Sequence, residues 1–139
     1  MSFLLDTNVV SESIKPRPNQ GLTAWLAVAD EDSVFISVVT LTELRYGIER
    51  LSPGAKRRQL EDWLQFDLLL RFEHRILPID GVIADACGKL VARSESLGRP
   101  IAAIDALIAA TAEVRQLTLV TRNASDFQPT IKNVINPWT

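Results

Sequence analysis

Four acids stand where the sequence changes character. Asp6 ends the apolar run Phe3-Leu4-Leu5. Glu43 follows the β-branched run Val34–Val39. Asp105 lies inside Ile104-Asp105-Ala106-Leu107-Ile108-Ala109-Ala110, and Asp126 follows Leu117–Thr121. Carboxylate oxygens suit hard divalent cations such as Mg²⁺ or Mn²⁺. Such ions lower the pKa of bound water, polarise a phosphoryl oxygen and stabilise a leaving oxygen. Two of them about 4 Å apart can divide these tasks in an in-line phosphodiester cleavage. The chain has one histidine, His74, and one cysteine, Cys87. That excludes a multi-histidine metal centre, an HExxH site, a cysteine-rich zinc site and an intramolecular disulfide. His74, between Glu73 and Arg75, reads as a surface residue.

Each acid also has a purely structural reading. Asp6 can cap a helix beginning at Thr7 or Asn8. Thr40-Leu41-Thr42-Glu43 matches a capping box, in which Glu43 reaches back to the Thr40 N–H. Asp126 can form a local turn. Asp105 sits on a helix that is apolar on nearly every side, where an isolated buried carboxylate is costly. It needs a cation, hydrogen bonds or a place in the first helical turn. Thr7, Thr121 and Asn123 are candidates to orient the acids, with Asn8 and Ser11 weaker. Arg122 can pair with a phosphate or with one of the acids.

The elements that must position these residues alternate between strand and helix. Phe3–Leu5 reads as a strand and Thr7–Ile14 as a helix closed by Pro16 and Pro18. Leu22, Trp25, Leu26 and Ala29 mark a second helix. Val34–Val39 reads as a buried parallel strand, followed by a helix from Thr40 carrying Leu41, Leu44, Ile48 and Leu51. Lys56–Phe72 has one long helical period. Arg75–Ile79 is a strand that Pro78 pushes to an edge or a strand end. Asp80 caps a helix carrying Val82, Ile83, Ala86, Leu90 and Val91. Ile101–Leu117 is helical and Leu117–Thr121 a strand. Arg122–Pro129 is a loop with one helical turn, and Val134-Ile135 a last short strand. This order predicts a single α/β domain over residues 1–139: three layers, with a central, mainly parallel sheet flanked by helices. In such sheets ligands bind beyond the carboxyl ends of the strands, where Asp6, Glu43 and Asp126 fall.

The 139 residues include 15 Lys and Arg against 17 Asp and Glu, a net charge of −2. That is a poor signature for wrapping nucleic acid by charge alone. Once four carboxylates are assigned to metal, the remaining 15 cations face 13 anions. Lys15, Arg17, Arg45, Arg50, Lys56, Arg57, Arg58 and Arg99 are the residues available to hold RNA. No aromatic and basic residues interleave to suggest a single-strand stacking platform. No signal peptide or membrane-spanning run is evident, so a cytoplasmic protein with no membrane partner is expected.

Four segments together carry a family resemblance: Leu4–Glu12, Ile36–Ile48, Pro100–Ala110 and Leu119–Phe127. In this order and with these separations they resemble the PIN-domain ribonucleases, and within them the VapC-type toxins of the FitB-like branch. The family pattern places its acids at Asp6, Glu43, Asp105 and Asp126, and the Thr and Asn of its last motif at Thr121 and Asn123. The resemblance favours the metal reading of Glu43 over the capping one. It implies an endoribonuclease dependent on Mg²⁺, with Mn²⁺ as a possible substitute, acting as the toxin of a type II toxin–antitoxin pair. It also implies a homodimer and a cognate VapB-like antitoxin, with operator DNA bound only indirectly through that antitoxin. The stripe Leu60, Trp63, Leu64 and Leu68 suits either a dimer or antitoxin groove or internal packing.

Three other readings compete. A receiver-like phosphorylation domain would need paired acids after its first strand and a late strand-end lysine; Asp6 is followed by Thr7, and Lys132 is poorly placed. A non-catalytic RNA-binding or assembly module would keep its partner after the four acids were neutralised. A PIN nuclease of RNA processing would lack an antitoxin gene beside its own.

Overall fold

A computed structural model describes all 139 residues. Five short strands form one parallel sheet: β1 (Phe3–Leu5), β2 (Val34–Ser37), β3 (Ile76–Leu77), β4 (Thr118–Val120) and β5 (Val134–Ile135), in the order β3-β2-β1-β4-β5. The helices are α1 (Thr7–Ser13), α2 (Gln20–Val28), α3 (Val38–Glu49), α4 (Ala55–Asp62), α5 (Leu69–Arg71), α6 (Gly81–Ser96), α7 (Ala103–Val114) and α8 (Ala124–Phe127).

Alternation along each strand divides the core in two. Leu4 and Leu119 pack on one face with Ile83, Leu90, Ile108 and Phe127 from α6, α7 and α8. Their neighbours Leu5 and Val120 pack on the other face with Val9, Val10, Leu22, Leu44, Ile48 and Phe72. The result is the expected three-layer α/β architecture. Chain order runs from β1 outward to β2 and β3, then crosses to β4 and β5. The two halves diverge at β1, so the carboxyl ends of β1, β2 and β4 border the crevice where such sheets bind ligands. Register brings Leu5 level with Val120, which sets Asp6 and Thr121 side by side one residue further on.

Three expected boundaries move. β2 stops at Ser37, and α3 begins at Val38. The buried Ser37 hydroxyl accepts the Val39 N–H at 3.0 Å, and this cap turns the chain into a helix despite the β-branched pair Val38-Val39. Val39 then joins the core cluster of α6 and α7. The helix expected over Lys56–Phe72 is not uniform: a π-helical segment, Trp63–Leu68, separates α4 from α5. Within this stretch Leu64, Leu68 and Phe72 are buried. The Arg75–Ile79 strand contracts to β3 on the sheet edge, immediately before Pro78.

Candidate active site

Asp6 is placed by the end of β1. Its backbone N–H donates to the Val120 carbonyl at 2.9 Å, continuing the ladder, and its side chain caps α1. One carboxylate oxygen, Oδ1, accepts the Thr7 N–H at 2.8 Å. The other, Oδ2, accepts the Thr121 hydroxyl at 2.7 Å and the Asn8 amide at 3.3 Å. Capping and site-building are therefore the same geometry. Asp6 is only 5% exposed. Burial pushes its carboxyl above the ordinary carboxylate range, and the Thr121 and Thr7 hydrogen bonds offset this only in part.

Thr121 is fully buried, and its hydroxyl oxygen also accepts the Asn123 N–H at 3.1 Å and the Asn8 amide at 3.3 Å. Asn8 Oδ1 in turn accepts the Arg122 N–H at 3.2 Å. The Thr121–Asn123 turn is thus tied to the start of α1. Asn123 serves this network through its backbone, while its side chain lines the cleft.

Glu43 lies in the second turn of α3, because the helix starts at Val38, earlier than expected. The capping box is not formed. Thr40, buried inside the helix, bonds the Thr7 hydroxyl at 3.0 Å, and Thr7 donates to Glu43 Oε1 at 2.5 Å. Once Thr7 donates to the carboxylate, the Thr40 proton must point at Thr7. Two hydroxyls therefore orient Glu43 from α1 and α3.

Asp105 is in the first turn of α7, whose entry residue Ala102 supplies no side-chain cap. Burial raises its carboxyl, and the charges of Asp6, Glu43 and Asp126 raise it further. The helix N-terminus is a favourable place for that charge. Asp126 is exposed on the single turn of α8.

Asp6, Glu43 and Asp105 open onto one cleft of about 370 Å³, lined also by Thr7, Asn8, Ser11, Lys15, Arg122 and Asn123. Asp126 faces an adjoining cleft with Arg99 and Ser125, and Asp105 borders both. No three of the acids stand close enough together to hold one ion between them. A hard cation that keeps several of its waters needs only one or two carboxylates. His74 is exposed and lies outside the clefts, as expected.

Two cleft residues were not among the expected ones. Glu12 is buried on α1, bonded to Lys15 at 2.8 Å and to the Asn19 N–H at 3.0 Å. The Lys15 contact leads the influences that hold its carboxyl below the usual range. A helical stripe of Asn8, Ser11 or Glu12, and Lys15, opposite Val9-Val10, was available as a signal. Trp138 also borders the cleft, and no local pattern around it announces that position.

The PIN domain family model matches residues 3–129. Toxin FitB of Neisseria gonorrhoeae is 39% identical over 136 residues, 98% of each chain. A VapC ribonuclease of Sinorhizobium fredii is 32% identical over 136 residues, covering 98% of this chain and 97% of its own. The structure of FitAB bound to a DNA fragment superposes with a TM-score of 0.93 at 36% identity, covering 99% of this chain and 96% of the other. The chain belongs to the PIN-domain family, within its FitB- and VapC-type toxins.

Proposed function

We propose that this protein, as a single PIN domain over residues 1–139, is a metal-dependent endoribonuclease and the toxin of a type II toxin–antitoxin pair in the cytoplasm. The observation that carries the reading is the meeting of Asp6, Glu43 and Asp105 in one water-accessible cleft at the carboxyl edge of the sheet, with Asp126 close enough for its charge to act on Asp105. Asp6, Glu43 and Asp105 would hold Mg²⁺, or Mn²⁺ in its place, some of them through bound water, with Asp126 contributing from the adjoining cleft. The bound ion would supply Lewis acidity and a water of lowered pKa.

The chain's own residues do the rest. Thr121 and the Thr7 N–H hold both oxygens of Asp6 in place. The Thr40–Thr7 pair fixes one oxygen of Glu43 and leaves the other without a protein partner. Burial and the charges of Asp6, Glu43 and Asp126 raise the Asp105 carboxyl, and a bound cation would offset that negative charge. Arg122 offers positive charge to a phosphate in the same cleft.

Solved relatives include FitAB and DNA-bound VapBC complexes. They support a VapB-like antitoxin for this chain and operator DNA reached through it. A homodimer completes the proposed assembly.

The test is cleavage of total cellular RNA by antitoxin-free protein with Mg²⁺ or Mn²⁺, with EDTA, and with a folded Asp6→Asn variant. Cutting that needs metal and disappears in the variant is the expected result. Equal cutting by the variant overturns the site. RNA binding that survives neutralisation of all four acids, with no cutting by the native chain, turns the reading to a non-catalytic module.

A further inference from the structure

We propose that Trp138 is a stacking platform for a nucleobase of the RNA strand beside the scissile phosphate. This inference rests on the RNA-cleaving reading of the carboxylate cleft. Trp138 is the one large apolar side chain bordering that cleft, among acids, hydroxyls, amides, Lys15 and Arg122. The residue is half-buried and packs against the core cluster around Leu5 and Val9, so it is anchored while also bordering the cleft.

Its position is built by a strap of hydrogen bonds. The Asn19 side chain, which caps α2, exchanges two bonds with the Thr139 backbone, both at 3.1 Å. The Gly21 N–H donates to the Thr139 hydroxyl at 3.2 Å. A Cβ at Gly21 would collide with the Pro137 carbonyl and with Thr139, so this close approach depends on glycine. On the other side of Trp138, Asn136 accepts the Trp138 N–H at 2.9 Å and donates to the Arg122 carbonyl at 3.2 Å. Arg122 directly follows Thr121, the partner of Asp6. The indole is therefore tied by a short bonded path to the acid that anchors the site.

An aromatic residue on the same cleft as an arginine bound to no carboxylate is the chemistry that takes a nucleotide: the base stacks and the phosphate meets the cation. A mere packing latch would use the same core contacts, but it would have no need to border the cleft of Asp6, Glu43 and Asp105.

The experiment uses an oligoribonucleotide spanning a site cut by the native protein. Binding is measured with Mg²⁺ in the Asp6→Asn background, where the strand stays intact. Trp138→Ala and Trp138→Leu are each expected to weaken binding by roughly 5- to 150-fold, the range of one base stacked on one aromatic ring. Trp138→Phe recovers most of the loss. Leucine keeps apolar packing without a π face, so it separates stacking from stability if the alanine variant unfolds. An abasic nucleotide beside the cut should weaken binding to the Trp138-containing protein by the same factor and add nothing in Trp138→Leu. Native-like binding by a folded Trp138→Leu, or an abasic penalty that persists in it, overturns the platform while leaving the nuclease reading intact. A native chain that neither binds nor cuts any RNA overturns both.

Discussion

Replacing Thr121 by valine keeps the side-chain shape and removes one hydroxyl. That hydroxyl donates to Asp6 Oδ2 at 2.7 Å, in a place where Thr121 is fully buried and Asp6 nearly so. Water cannot easily take over the bond. A hydrogen bond to a charged group contributes roughly 1.5–3 kcal/mol, and loss at a buried site belongs to the upper half of that range. The Asn123 N–H also loses its acceptor, but Asn123 is exposed and can be solvated. The expected cost in EDTA, at a pH where Asp6 is ionised, is therefore about 2.5 kcal/mol, or about 10 °C in Tm for a chain of this size. The sign of the pH dependence follows from Asp6. Its folded-state carboxyl is already raised by burial, and the Thr121 bond is the strongest influence lowering it. Ionising a group raised in the folded state removes stability as pH rises through its folded pKa. Thr121→Val raises that carboxyl further and so steepens the loss. Once Asp6 is protonated in both proteins, the difference should shrink to about 1 kcal/mol, the size of a neutral bond. Urea unfolding of both proteins from pH 8 down to the acid limb measures it. In an Asp6→Asn background the Thr121→Val cost should likewise fall to about 1 kcal/mol. A cost below about 0.5 kcal/mol at the alkaline end of the range, or one that is the same at every pH and in both backgrounds, would refute the coupling of Thr121 to the Asp6 charge.

Three further outcomes follow from the same geometry. Asp105→Asn removes a carboxyl raised by burial and by Asp6, Glu43 and Asp126, so the metal-free variant should melt above the native chain at neutral pH, and the gap should close as pH falls through the native carboxyl's raised pKa; an unchanged or lower Tm at pH 7 in EDTA contradicts it. Mg²⁺ at about 100 times its Kd should stabilise the native protein by about 2.7 kcal/mol, read as a thermal shift that Asp6→Asn largely abolishes. Ser37→Ala should cost about 1 kcal/mol as a lost helix cap, whereas Glu43→Gln should show no capping cost in urea unfolding, since Glu43 accepts from Thr7 and not from the start of its own helix.

How far the sequence reaches depends on the distance over which each feature is decided. Strand ends are local: an apolar run that stops at Asp6 or before Asn123 announces the carboxyl edge of a buried sheet, and there the structure has Asp6, Glu43 and Asp105 on one cleft and Asp126 on the next. The start of α3 is also local, but two signals conflict. Val38-Val39 favours strand, and Ser37 favours a cap; the cap prevails because tertiary packing gives Val39 a core site on the helix. This displacement carries Glu43 from a capping box into a bond with Thr7. The orienting hydroxyls are nonlocal. Thr7 meets Thr40 and Glu43, and Asp6 meets Thr121 across 115 positions. Trp138 is the extreme case, since its place follows from Asn19 and Gly21 bonding Thr139 some 120 residues away. The acids, whose charge needs only a strand end and a helix start, are written in motifs. The hydroxyls and the indole that aim them depend on pairings that exist only after β1 and β4 lie together. A graft of the four acidic motifs onto another parallel sheet should therefore gather negative charge without reproducing the aim of Asp6, unless the Thr121 register and the Thr7–Thr40 contact are carried with it.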